Sequence, residues 1–343
     1  MGKCLVTKLN GTVDNNSILK VGELRLNVQS VSNPTAQTQE LNLMFAKDTT
    51  VSIIGNGYFT DSSLSQNNGK TCICKANTTT TLILSNGDYE LSIPDKYSII
   101  QINCWNAGSC VSMDISDLKY SLSINSIALR NAQVSGDISA LSNLTALWNI
   151  SIRTANISGD ISALSNLTAL ATLNLQGTQV SGDISALSNL TALATLNLQG
   201  TQVSGDISAL SNLTKLTSFT VANMSGDIST LSNVNATDVH INQSSLTGDL
   251  AVALPKVSFL SFYGDNGSVF SWSSRPSSCT NGGLEGYPTV QNLDKMLQDL
   301  ANCQVPTSNK YTLIQAKGNR TSASDAAVQT LQSKGYTVSI TPA

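Results

Sequence analysis

Between Val111 and Gly264 the chain sets Leu, Ile and Val at fixed intervals and fills the gaps with small polar residues. Each unit reads L-x-x-L-x-x-L-x-L-x-x-x-x-V-x-G-D-I, as in Leu167, Leu170, Leu173, Leu175, Val180 and Ile184. Residues Ser158 to Val180, SGDISALSNLTALATLNLQGTQV, recur unchanged as Ser181 to Val203. The Asp after the glycine marks the period: Asp137, Asp160, Asp183, Asp206, Asp227 and Asp249 follow at steps of 23, 23, 23, 21 and 22, with Asp114 one step upstream. A unit of this size cannot bury its own leucines, so neighbours must stack on it, and three or more units are needed. The pattern predicts one short strand per unit, paired in parallel about 4.8 Å from the next. Leu173 and Leu175 then point inward, and Thr172, Asn174 and Gln176 point out onto an open face.

Upstream, from Lys3 to about Asn103, the pattern changes to two-residue alternation rich in β-branched residues. KCLVTKL, LKVGELRLNV, QELNLMF, TTVSIIG, KTCICKA, TTLILS, DYELSIP and YSIIQIN read as strands, with turns at Asn10-Gly11, Asn56-Gly57, Asn68-Gly69 and Asn86-Gly87. This density of short strands predicts a β-sandwich or small barrel. Downstream of Gly264 the period breaks in GDNGSVFSWSSRPSSCTNGGLEGYP. A helical pattern follows over Thr289 to Asn302, with Leu293, Met296, Leu297 and Leu300 on one face. KYTLIQAK reads as a strand. A second helix, with Ser322 and Asp325 as its capping box, runs through Lys334 to Gly335 before the strand YTVSI.

The repeat spacing is that of leucine-rich repeats. That family places Asn or Cys after the strand, where Thr178 and Thr201 stand here; a threonine hydroxyl is able to bond backbone groups at such a bend. The expected class is therefore α+β: an N-terminal all-β domain over residues 1–110, a leucine-rich-repeat solenoid with a parallel sheet over 111–264, and a helix-containing C-terminal cap over 265–343.

Aligning the units writes the open face as three columns. The first is Ser126, Asn149, Thr172, Thr195, Ser218, Asp238, Phe259; the second Ala128, Ser151, Asn174, Asn197, Thr220, His240, Ser261; the third Arg130, Arg153, Gln176, Gln199, Ala222, Asn242, Tyr263. The middle is uniform and polar. The ends depart from it, so the candidate ligand-binding residues are Arg130, Arg153, Asn174, Gln176, Asn197, Gln199, Asp238, His240, Phe259 and Tyr263.

Composition narrows the function classes. Charged residues make up 12% of the chain and the net charge is −3, which leaves no basic footprint for nucleic acid. No run approaches the roughly 18 apolar residues of a membrane span, so no membrane insertion is expected. The start, MGKCLVTKLNGTV, lacks the apolar core of an export signal, and the expectation is folding without export. The 7 cysteines form no regular framework and read as reduced, mostly buried thiols, with Cys72 and Cys74 on one strand face. With one histidine, His240, and no nucleophile elbow, phosphate loop or dinucleotide fingerprint, no catalysis and no cofactor are expected. A polysaccharide depolymerase is the enzyme class least at odds with the chain, since its carboxylates come from distant strands.

The Asp column has two readings: a ladder of oxygens for Ca²⁺, or caps for the short turn Ile-Ser-Ala-Leu, the second being favoured. Asn143, Asn166, Asn189 and Asn212 are formal glycosylation sequons and are read as turn and packing residues.

The opening run GKCLVTKLNGTVDNNSILKVGELRLNV resembles the N-terminal stretch of tail and fibre-associated structural proteins in tailed phages of gut bacteria. The resemblance implies that residues 1–110 dock onto other virion tail proteins, and that the chain is a virion component recognising a host cell-surface glycan or protein. The alternative is a bacterial surface or scaffold protein mediating protein–protein interaction.

Overall fold

The computed structural model describes residues 24–28, 38–55, 65–66, 71–85, 89–94, 98–104, 111–130, 133–253, 255–264, 267–273, 283–303 and 312–342. The expected strand KCLVTKL and the four Asn-Gly turns lie outside these. The chain divides into two compact units, Met1–Ile157 and Ser158–Ala343.

In the first unit, the alternating segments form strands near the predicted positions. Leu24–Val28, Thr49–Gly55, Thr71–Cys74 and Tyr89–Ile93 form one antiparallel group, with Tyr89–Ile93 between Leu24–Val28 and Thr49–Gly55. Thr38–Phe45 lies between Thr80–Ser85 and Ile99–Cys104 in a second. Each group then hands over to the repeats. Val111–Asp114 is antiparallel to Leu24–Val28 but parallel to Gln133–Asp137. Likewise, Ile99–Cys104 is antiparallel to Thr38–Phe45 but parallel to Ser126–Arg130. The antiparallel strands thus cover the first repeat by extending both of its sheets, which removes an exposed edge that would otherwise invite association.

The second unit is a solenoid with two strands per turn, where one was expected. The first sheet stacks Thr172–Asn174, Thr195–Asn197, Ser218–Ala222, Asp238–Asn242 and Phe259–Tyr263, in the register of the repeat. The second runs through the Q-V-S-G-D segments Gln179–Asp183 and Gln202–Asp206, then Met224–Asp227 and Ser245–Asp249. Its strands are short and bury one side chain, such as Val180, so they carry too little alternation to read as strands. The two sheets differ in register. Thr172 pairs with Thr195, a step of 23, whereas Ser181 pairs with Gln202, a step of 21.

Between the sheets, leucines at intervals of three select 3₁₀ rather than α geometry, because 3₁₀ turns repeat every three residues. Ile161–Leu164 and Ile184–Leu187 are 3₁₀ helices, and the bonds Leu167 N to Leu164 O (3.0 Å) and Leu170 N to Leu167 O (2.9 Å) continue the staircase into the strand. Leu164, Leu167, Leu170, Leu173, Leu175, Val180, Ile184 and Leu187 are all fully buried. Each contributes on the order of 1.5–3 kcal/mol by leaving water.

The Asp column caps these turns. Asp160, Asp183, Asp206 and Asp227 are N-cap residues whose carboxylates accept from the N–H of Ser162, Ser185, Ser208 and Ser229 at 2.8, 2.8, 2.9 and 2.8 Å. Asp114 and Asp137 do the same in the first unit. The register slip also lays each carboxylate across the glycine of the next unit. Thr178 and Thr201 donate to the carbonyls of Leu175 and Leu198 at 2.8 Å each, so the hydroxyl takes over at the bend. Asn143, Asn166, Asn189 and Asn212 are exposed, which fits turn residues and not packed ones.

The Gly, Ser and Pro-rich stretch does not end the sheets. Val269–Ser271 and Thr289–Val290 continue one, and Gly283–Glu285, Leu313–Lys317 and Thr337–Thr341 continue the other. The helix Leu293–Ala301 buries Leu293, Met296, Leu297 and Leu300 as predicted but starts later, since Thr289 and Val290 are in a strand.

The expected capping box of Ser322 and Asp325 does not form. Thr321 caps the turn Ser322–Ser324, and Asp294 from the preceding helix accepts from Thr321 N at 3.0 Å. The helix Asp325–Ser333 follows. Cys72 and Cys74 are buried free thiols, but Cys303 is disulfide-bonded, which corrects the expectation of uniformly reduced cysteines.

Candidate functional site

The outward residues of the first sheet fall in the predicted columns, and their surroundings divide them into two groups. In the exact repeats the amides serve their own turn. Asn174 and Asn197 accept from the N–H of Gln176 and Gln199 at 3.2 and 3.0 Å, and Gln176 Nε2 donates to Gln199 Oε1 at 3.1 Å. Asn174 is only 5% exposed. These residues bridge neighbouring rungs and leave Gln199 as the exposed member.

Three units on, the strands Asp238–Asn242 and Phe259–Tyr263 break that uniformity. Parallel pairing sets His240 beside Ser261. His240 Nδ1 lies 2.7 Å from Ser261 Oγ, and His240 Nε2 lies 3.2 Å from Asp238 Oδ1. The Phe259 ring packs against the imidazole, centroids 5.5 Å apart, and is 4% exposed, so it supports His240 and is not presented to a partner.

Tyr263 is the opposite, 48% exposed. Partial burial, then a hydrogen bond and the charge of Glu285, push its phenol up to about 12. Glu285 is the neighbour of Ser261 in the next strand. Beyond it, Gly286 N donates to Gln315 Oε1 at 3.3 Å, and Tyr287 Oη lies 3.0 Å from Ser339 Oγ. The structure therefore sets Asp238, His240 and Tyr263 on adjoining strands with Ser261 and Glu285, and Tyr287 follows on the next turn against Ser339.

Glu285 and Tyr287 were not found in the sequence, because they follow the stretch where the period is lost. Their signal is the register Phe259 to Gly283, which only strand pairing supplies.

Arg130 and Arg153 belong to the first unit, adjacent in register on the strands Ser126–Arg130 and Asn149–Arg153. That unit also exposes Tyr120, Leu122 and Trp148, with Lys119 Nζ 5.6 Å from the Tyr120 ring centre.

Ser261, His240 and Asp238 lie in the order of a hydrolytic triad. However, Ser261 is fully buried at 0% exposure, and the N–H groups of these paired strands are spent in the ladder, so a substrate carbonyl finds neither nucleophile nor oxyanion donors. Among the described residues no group of three His, Cys, Asp or Glu side chains is placed to hold a metal. The cap carboxylates are engaged by their own turns. The Ser185 hydroxyl and then its N–H hold Asp183 below its usual range, and Ser208 does so for Asp206 against burial and then the charge of Asp183, which push it up.

No protein-family model and no curated protein matches the chain. Solved structures do. The PEPR1–AtPEP1 structure matches with a TM-score of 0.50 and 17% identity over 71% of this chain and 35% of that one. The fold is that of a leucine-rich repeat. The leucine-rich-repeat ectodomain of GASSHO1/SCHENGEN3 from Arabidopsis thaliana, in complex with CASPARIAN STRIP INTEGRITY FACTOR 2, has a TM-score of 0.46 and 22% identity over 62% of this chain and 26% of that one. Internalin C2 from Listeria monocytogenes has 0.41 and 20%, over 68% of this chain and 95% of that one. The chain thus spans about a quarter of the GASSHO1 ectodomain and a third of the PEPR1 chain. No helix among the described residues is long and apolar enough to cross a membrane.

Proposed function

We propose that the chain is a non-enzymatic leucine-rich-repeat binding module that engages a protein or glycan partner through the first-sheet face of residues 158–343, centred on Asp238, His240, Tyr263 and Glu285. One observation carries the reading. On a face built from short amides and hydroxyls tied to their own backbone, Tyr263 is half exposed with the Glu285 carboxylate beside it, at the end of the strand that pairs Ser261 with His240. Exposed aromatics with a polar handle are the side chains that dominate binding energy at interfaces. The solved PEPR1–AtPEP1 complex shares the fold and is consistent with a binding role.

The finer reading is adhesion: a phage tail component that recognises a host cell-surface glycan or protein, docked to other virion tail proteins through residues 1–110. It rests on the opening run, of which only 24–28 lie within the described residues. Arg130 and Arg153 are further proposed contacts in the first unit.

The test is adsorption of the purified, fluorescently labelled chain to gut-bacterial cells, with virion proteomics on the parent particle. Tyr263→Ala combined with Glu285→Gln is expected to cut adsorption at least tenfold, while Asp183→Asn, in the second sheet, leaves it unchanged. Undiminished adsorption by the double variant overturns the site. Absence of the chain from purified virions overturns the tail assignment and favours the bacterial surface or scaffold protein.

A further inference from the structure

The strand Thr337–Thr341 pairs in parallel with Leu313–Lys317 on one side, and among the described residues no strand pairs with its other side. Backbone parity fixes which groups that free edge shows. Thr337 N donates to Thr312 O at 2.7 Å and Gly318 N donates to Thr341 O at 3.0 Å, so the odd-numbered residues face the inner neighbour. The N–H and C=O of Val338 and Ile340 therefore point outward. On either side of them the edge stops, because Tyr336 N–H is spent on Leu331 O at 3.0 Å and Pro342 has no N–H.

Natural edges are blunted by charge, proline or a bulge, and TVSIT carries none of these within its span. Its inward side chains are also incompletely covered. Ile314 and Ala316 are fully buried, whereas their register partners Val338 and Ile340 are only half-buried. Ile340 and Pro342 line a hollow with Gly318, Asn319 and Arg320.

We propose that a second copy of the chain covers this edge, its Thr337–Thr341 strand lying antiparallel across a two-fold axis at Ser339. The sequence fits that symmetry, since TVSIT reads almost alike in both directions. Thr337 meets Thr341 of the other copy, Val338 meets Ile340, and Ser339 meets itself. Val338 and Ile340 exchange both backbone bonds in each of the two pairs, which satisfies all four N–H and C=O pairs of the joined edges. A slip of two residues either way brings Pro342 or the spent N–H of Tyr336 into a pairing position, and a slip of one reverses the faces. The register is thus specified by the edge itself.

Charge does not oppose the contact. Arg320 is paired with Asp325, and Lys334 Nζ is held by the carbonyls of Ala301 and Cys303 at 2.6 and 2.7 Å. Lys317, exposed beside Thr341, lies at opposite ends of the joined strands in the two copies, on the order of 20 Å apart by strand geometry and beyond the screening length.

In this register Ser339 forms a non-hydrogen-bonded pair with its copy, with Cα atoms about 4.5 Å apart, inside disulfide range. The test is a concentration series of the full chain by light scattering and sedimentation, together with oxidative cross-linking of Ser339→Cys and Thr337→Cys. Wild type is expected to reach twice the chain mass, Ile340→Lys to remain at the chain mass, and Ser339→Cys to cross-link far more than Thr337→Cys. The cross-link reads the register without depending on how Ile340→Lys folds. A wild-type chain that stays monomeric across the series, or equal cross-linking from both cysteine variants, overturns the proposal.

Discussion

Gly226 is a position where the close approach of cap carboxylate to glycine is open to a quantitative test. It sits at φ +98°, and a Cβ there would stand 2.5 and 2.6 Å from the carboxylate oxygens of Asp206 and 2.7 Å from its Cγ. Alanine must therefore move Asp206 away from Ser208 N, its 2.9 Å cap partner, while holding a backbone angle that L-residues avoid. Loss of a cap costs about 0.5–2 kcal/mol and the backbone strain about 1–3 kcal/mol, so Gly226→Ala is expected to cost roughly 2–4 kcal/mol. Asp206→Ala alone loses only the cap, about 1 kcal/mol, and vacates the space. The double variant should then cost less than the sum by about 1–2 kcal/mol.

Gly200→Ala is the control. Its φ is +71°, but the nearest atom to its Cβ is Gly177 Cα at an ordinary 3.5 Å, so only backbone strain applies. Urea unfolding followed by circular dichroism, compared at common m-value, reads all four. Additivity of the two substitutions within about 0.5 kcal/mol, or equal damage from Gly200→Ala and Gly226→Ala, would refute the argument that the carboxylate lies over the glycine.

Three further outcomes follow from the same geometry. Leu196→Ala, at a buried position between the two sheets, should cost about 2–5 kcal/mol in urea unfolding, against less than about 0.5 kcal/mol for exposed Gln199→Ala. Acid should weaken the fold through the caps. Asp137, Asp160, Asp183 and Asp206 are held below the ordinary carboxylate value of 3.8, so their contribution is present above that value and is lost as pH falls below it. A urea midpoint that stays flat from pH 5 to about pH 2.5 would contradict this. Asp294→Ala should cost about 1–2 kcal/mol and lower hydrogen-exchange protection in the helix Asp325–Ser333, because Asp294 caps the turn that leads into it from another helix; unchanged protection would leave Thr321 as the sufficient cap.

The sequence made some of this legible and hid the rest for physical reasons. Leu167, Leu170, Leu173 and Leu175 carry their periods openly, so the solenoid, its inward leucines and the face columns could be read directly. The cap role of the Asp column was readable from its place before Ile-Ser-Ala-Leu. The second sheet was not, since Gln179–Asp183 buries a single valine and bends through a glycine. Nor was the Asp294 cap, because its partner Thr321 is 27 residues away and meets it only through helix packing.

At the candidate site, His240 and Asp238 stood out by type. Ser261 already follows His240 in the second column, and the strand register bears this out, whereas Glu285 and Tyr287 come in only because the sheet continues past the stretch where the repeat is lost. The columns place Phe259 on the open face, but its ring is buried because it packs against the imidazole of His240 on the neighbouring strand.

The central claim, that binding occurs on the first-sheet face around Tyr263, is tested most directly by carboxyl footprinting of the chain while it is adsorbed to the cells it recognises. Asp238 and Glu285 on the face, and Asp183 and Asp206 at the second-sheet turns, are internal reporters of the two surfaces. The account predicts that labelling of Glu285 and Asp238 falls on adsorption while that of Asp183 and Asp206 is unchanged. Protection of the cap carboxylates with Glu285 still fully labelled would contradict it.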